Sequence, residues 1–280
     1  APTDYVPGDF ADADAIKSRE ATERSGRMPL RPISTLEESY PNINVSAFGA
    51  AEDVAPSAMT LFGLVAEGVH YVGGCETRYG PYPNCDEMVV PSYSFAKSLF
   101  GGLALMRLEK LYPGVMQEHI SDYVPACTAQ GTWEGVTFEN ALDMATGHYQ
   151  SVESDADENA AVDQDFFLVE GHGEKIELAC TLYPRRTAPG QQWVYHTSDT
   201  FLLGAAMQAF LKAREGPDAD IYRDLLVDAV WKPLGLSATM DETRRTHDSD
   251  AQPFTGWGLF MQRGDLARLL DFLGRENGRI

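Results

Sequence analysis

The chain has 280 residues, a formal net charge of -20 and 44% hydrophobic residues. So acidic a composition argues against nucleic acid and anionic membrane surfaces as partners, because phosphate binding draws on clustered Lys and Arg. The apolar content supports a sizeable core rather than global disorder, and no stretch reaches the roughly 18–20 apolar residues of a membrane span.

Residues 1–57 read as an N-terminal arm: polar, Pro-rich and broken, with a short helix over ADAIKSREATE. The opening Ala1-Pro2 is similar to what remains after cleavage behind a small residue, but by itself proves little; export to the periplasm or beyond is expected from the four cysteines. From Thr60 the pattern changes. TLFGLVAEGVHYVGG predicts two short strands around a turn at Glu67-Gly68, and EMVVPS predicts a third. Cys75 and Cys85 bracket a turn-rich segment with two prolines, and a disulfide closing that loop would imply an oxidising compartment. Cys127 and Cys180 form a second candidate bridge; the alternative is four buried thiols in a cytosolic protein. Neither CxxC nor HxxxH spacing occurs, which disfavours a metal site.

SFAKSLFGGLALMRLEKLYPG predicts one long helix, apolar on nearly every face until Arg107 and ended by Pro113-Gly114. Residues 115–190 mix short helices and loops. VTFENALDMATG reads as a short amphipathic helix, and SVESDADENAAVD as an acidic surface loop. DTFLLGAAMQAFLKAREG and ADIYRDLLVDAVWKPLG predict two further helices. GWGLFMQRGDLARLLDFLGRENG predicts a strand, a turn and a last helix. Strands at both ends and helices between them predict an α/β domain over 58–280, with an all-helical subdomain over about 115–255.

Ser94 and Lys97 stand three residues apart at the head of the apolar helix, on one face of it. A serine hydroxyl needs a base to act as a nucleophile. An amine serves as that base only when uncharged. Burial among Phe95, Leu99 and Phe100 and the positive end of the helix dipole both favour the uncharged form. The same helix start offers N–H groups to a developing oxyanion. The spacing alone arises by chance about once in a chain of this length, so its placement carries the argument. The six histidines show no paired metal spacing, and His196-Thr197-Ser198-Asp199 is read as side chains that diverge rather than form a triad. No acidic pair stands out as an acid/base couple.

A second block, PGQQWVYHTSDTFLLGAAMQ, lies about a hundred residues downstream. With SxxK, VTFENALDMATGHY and GWGLFMQRGDLARLLDFL in this order, residues 58–280 resemble the serine β-lactamase and penicillin-binding-protein superfamily. The likeness is to its class C-like branch, with carboxylesterases and 6-aminohexanoate-dimer hydrolases. The resemblance implies an antiparallel sheet flanked by helices, and a serine hydrolase acting on an ester or small amide without a cofactor. Ser94 would be the nucleophile, Lys97 its base and Tyr195 a second proton carrier. Thr197 would take the substrate-binding place where the family carries Asn; its single hydroxyl cannot both donate and accept as an amide does. The family's third motif, Lys- or His-(Ser/Thr)-Gly, follows the last helix and is not found before Ile280. The resemblance therefore implies C-terminal strands missing from this chain, carried by a second polypeptide or lost. A catalytically silent ligand-binding relative is the alternative. Thr255-Gly256 has the right residue types for the third motif but precedes the last helix, which places it outside the site.

Overall fold

The structure is a computed structural model that describes residue 8, residues 11–48 and residues 59–279. The opening dipeptide and the 57/58 boundary lie outside the described residues. The chain divides into two compact units.

The first unit holds the described residues up to Val89, with Leu234–Thr239 and Gln262–Gly278. A helix spans Ala13–Ser25. Strands β1 (Leu30–Pro32), β2 (Leu61–Ala66) and β3 (Val69–Gly74) form a sheet in the order β1-β3-β2. β2 and β3 pair antiparallel as the expected hairpin. Its turn residues have φ of 48° at Glu67 and 76° at Gly68, the left-handed pair whose twist matches that of the strands it joins. β1 lies within the segment read as an arm, yet pairs in parallel with β3. The Cys75–Cys85 disulfide closes a loop carrying β4 (Glu76–Thr77) and β5 (Gly80–Pro81). The last helix, Arg263–Arg275, opens on a capping box between Gln262 and Asp265. Asp265 also accepts from Ser237 N–H at 2.7 Å and from the Ser237 hydroxyl at 2.6 Å. Arg268 donates to the carbonyls of Glu23 and Gly235, so one buried guanidinium binds three separated stretches of sequence.

The second unit holds Val90–Pro233 and Met240–Met261. β6 (Val90–Pro91) pairs antiparallel with β7 (Phe260–Met261). The single helix expected after β6 is three pieces: a 3-10 turn over Tyr93–Phe95, a π-helix over Lys97–Gly102 and an α-helix over Leu103–Leu111. Leu103 N–H reaches back five residues to Ser98 O. Gly101 and Gly102 hold an α-helix poorly, which suits this wider turn. Leu99 and Phe100 are buried, but Phe95 is 41% exposed and does not help to desolvate Lys97. The expected burial is therefore corrected at that residue: the 3-10 turn points it elsewhere than an α-helix would.

The helix Thr197–Glu215 is the unit's axis, buried from Thr197 to Gln208 without a break. Gly204 lets the chain pass close by: a Cβ there would stand 2.5 Å from Thr255 Oγ1. Phe210 packs against Tyr112, Tyr123 and Phe138 with centroids 5.5, 5.6 and 6.4 Å away. The Cys127–Cys180 disulfide joins helix Pro125–Gln130 to helix His172–Thr181. The mixed α/β architecture expected from the sequence is the one found. Among the described residues no helix is long and apolar enough to cross a membrane.

Candidate active site

The second unit brings Ser94, Lys97, Tyr195 and Thr197 together. Ser94 is exposed in the 3-10 turn, whereas Lys97 is 6% exposed. Lys97 Nζ lies 3.1 Å from Ser94 Oγ, 2.8 Å from Tyr195 Oη and 2.8 Å from Thr197 Oγ1. A fourth oxygen, the Gly256 carbonyl, is 3.5 Å away. An ammonium has three hydrogens to share among these; an uncharged amine has two and a lone pair, which could accept the Ser94 proton. The residue before the serine, Tyr93, has φ of 45°. A left-handed conformation is uncommon for a bulky side chain, and such residues cluster at functional sites.

Two long-range features meet this cluster. The first is Thr255-Gly256, which sequence order placed outside the site. The chain returns so tightly that a Cβ on Gly256 would stand 2.5 Å from Thr200 Oγ1 and 2.9 Å from Thr197 Cγ2. Only glycine brings its carbonyl to Lys97 by this path. The second is the acidic run 151–163, expected as surface loop: most of it is exposed as expected, but Asp157 is buried and Glu158 half-buried against the site. Asp157 accepts from Gln150 N–H at 2.8 Å and Ser151 N–H at 2.9 Å, and meets His196 Nε2 at 3.1 Å. Glu158 accepts the Thr197 N–H at 2.8 Å and also the Thr197 hydroxyl.

His196 is fully buried and stacked on Tyr183, with ring centroids 4.5 Å apart. Its Nδ1 faces Asp199 Oδ2 at 3.6 Å, so His196 and Asp199 converge, contrary to the sequence reading. One turn of helix puts residues three apart on the same side. Burial pulls the His196 pKa down, but Asp199 and Asp157 outweigh it and hold the ring up at about 8. Asp163 is buried without a hydrogen-bond partner; burial first, and the charge of Glu158 second, push it up to about 7.

A cavity of about 390 Å³ opens over Ser94. Glu158 and Thr197 line it on one part, and Phe167, Arg244, Trp257 and Phe260 on another. The Arg244 guanidinium stands 4.7 Å from the Trp257 ring centroid. The cavity is thus mostly apolar with a few convergent polar groups, the usual make-up of a small-molecule site. No group of three or more His, Cys, Asp or Glu among the described residues is arranged to hold a metal ion. Sequence reasoning found the four-residue cluster but missed Glu158, Gly256 and Trp257. No periodicity marks them, and a charge run reads as a solvated face.

An apolar pocket over a serine, with a buried lysine and a phenol at its back, on this fold, defines a β-lactamase-like architecture. The chain belongs to the Beta-lactamase family, which matches residues 66–279. Among solved structures it is similar to EstCE1, a hydrolase with promiscuous acyltransferase activity, at 14% identity and a TM-score of 0.55. That match covers 96% of this chain and 75% of EstCE1. A provisionally assigned 6-aminohexanoate-dimer hydrolase from Bacillus anthracis matches at 15% identity and a TM-score of 0.56, over 79% of this chain and 55% of that one. An octameric penicillin-binding protein homologue from Pyrococcus abyssi matches at 17% and 0.50, over 70% of this chain and 47% of that one. The chain thus spans about half the length of these last two. At such identities the likeness is one of fold. No curated protein sequence matches the chain.

Proposed function

We propose that the protein is a serine hydrolase that forms an acyl-enzyme on Ser94 from an ester or small amide. One observation carries this reading: Lys97 Nζ lies within hydrogen-bond reach of both Ser94 Oγ and Tyr195 Oη. In the proposed reaction Ser94 Oγ bonds to the carbonyl carbon and its proton passes to Lys97. The carbonyl π pair moves to oxygen, where the Ser94 backbone N–H is a donor for the oxyanion. The intermediate then collapses, breaking the bond to the alcohol or amine, which receives a proton through Tyr195. Water attacks the acyl carbon by the same route in reverse, releasing the acid and restoring the Ser94 hydroxyl. No step calls on a cofactor.

Thr197 leaves ester or small-amide hydrolysis open: its one hydroxyl proton is directed to Glu158, so it cannot supply the paired donor and acceptor of the family's Asn. The two disulfides support an oxidising compartment, periplasmic or extracellular. Nothing in the comparisons supports a second polypeptide carrying further strands.

The test is covalent labelling with a fluorophosphonate or β-lactam probe. Labelling at Ser94 that disappears in Ser94→Ala is expected. An unlabelled wild-type chain would favour a catalytically silent binder of the same small molecules.

A further inference from the structure

One hydrogen bond beyond the amine stands a carboxylate. Glu158 takes both the backbone N–H and the hydroxyl proton of Thr197. A threonine hydroxyl has a single proton. With that proton turned to Glu158, Thr197 Oγ1 can present only lone pairs to Lys97 Nζ, 2.8 Å away. The amine must therefore donate there. The Gly256 carbonyl is likewise an acceptor only. An uncharged amine that donates to these two has its lone pair left for the Ser94 or Tyr195 hydroxyl, the orientation a base needs.

We infer that Glu158 is a positioning residue for Lys97, acting through the Thr197 hydroxyl whose rotation it fixes. The inference rests on the serine-hydrolase reading of the same site. Its geometry is supported from behind. Glu158 follows Asp157, whose carboxylate is tied to two backbone N–H groups and to His196. The carboxylate also lies at the first residue of the Thr197–Glu215 helix, where the helix dipole favours negative charge. The titratable and charged groups around this relay are Lys97, Tyr195, Asp163, Tyr183, Arg244 and the Asp157–His196–Asp199 cluster.

The test measures the rate of fluorophosphonate labelling of Ser94 against pH, in wild type, Glu158→Gln, Glu158→Asp, Thr197→Val and the double variant Glu158→Gln/Thr197→Val. Glu158→Gln keeps the size but can turn a donor toward Thr197 and removes the charge. Its labelling is expected to slow roughly 10- to 100-fold, the scale of one charge-assisted hydrogen bond. The acid limb of its profile moves to lower pH, because the site loses the Glu158 charge that pushes neighbouring Asp163 upward. Glu158→Asp keeps the charge and holds the limb close to its wild-type place. Adding Glu158→Gln to Thr197→Val changes little, since the route between them is already cut. Wild-type rate and limb in Glu158→Gln overturn the inference while the hydrolase reading stands; so does a Glu158→Gln effect that persists undiminished in Thr197→Val. An unlabelled wild type removes the hydrolase reading and this inference with it. If Glu158→Gln fails to fold by thermal denaturation, the limb in Glu158→Asp and the rate in Thr197→Val decide in its place.

Discussion

The phenol oxygen of Tyr195 lies 2.8 Å from Lys97 Nζ, and the same nitrogen is 4.5 Å from the centroid of its ring. The amine thus meets the hydroxyl and the edge of the π face together, a placement that leaves the phenol little freedom to turn away. Tyr195→Phe keeps the ring and deletes the proton carrier. Ester hydrolysis is expected to fall roughly 10²- to 10⁴-fold with an unchanged melting temperature. Steady-state rates with a p-nitrophenyl ester and a thermal melt check both halves.

Lys97→Ala removes the group to which Ser94, Tyr195 and Thr197 all turn. Labelling of Ser94 is expected to slow by roughly two to four orders of magnitude while the fold persists. A wild-type labelling rate would take Lys97 out of the chemistry.

His196 gives stability a pH dependence. Its pKa is raised in the fold, to about 8, by Asp199 and Asp157 against the pull of burial. A raised pKa stabilises fully below the unfolded value near 6.5, and that stability is lost as pH rises through 8. Denaturant midpoints at pH 6 and pH 9 should therefore differ, with the higher midpoint at pH 6, by on the order of 2 kcal/mol or less. In His196→Gln this part of the pH dependence should vanish.

Gly204→Ala places a methyl group 2.5 Å from Thr255 Oγ1 in the packed axis of the second unit. Overpacking of this kind costs about 1–3 kcal/mol, read as a lower denaturation midpoint. Gly114→Ala, where φ is 98° but nothing lies within 4 Å of the added carbon, isolates backbone strain from collision.

The two disulfides close loops of unequal length, with sequence separations of 10 and 53. On the chain-entropy account the longer is worth about 4 kcal/mol and the shorter about 3. Replacing Cys127 and Cys180 by Ala should therefore lower the melting temperature more than replacing Cys75 and Cys85.

Much of this was legible in local sequence because local rules decide it. Glu67-Gly68 announced a hairpin since the two residues between alternating apolar runs must take left-handed conformations. Ser94 and Lys97 stood out by their spacing together with their placement at the head of an apolar run, whereas Tyr195 came from the family resemblance and not from any local rule. What stayed hidden depends on where distant chain returns. Gly256 reaches Lys97 across 159 positions of sequence, and no pattern around Thr255 marks that approach. Glu158 hid within seven acidic or polar neighbours whose composition suits solvent; a buried histidine and an uncapped helix start drew it inward. Phe95 was misjudged because the break from 3-10 to π geometry rotates it away from the face an unbroken helix would give it.

The Asp157–His196–Asp199 sandwich has a consequence for anyone wishing to alter what this pocket accepts. It welds the loop bearing Glu158 to the start of the Thr197–Glu215 helix, so that wall behaves as bedrock, and diversity introduced there would be spent on folding failures. Phe167 and Phe260 face the same cavity without such anchorage to charge, whereas Trp257 there lies against the Arg244 guanidinium. Libraries for new acyl groups belong first at Phe167 and Phe260.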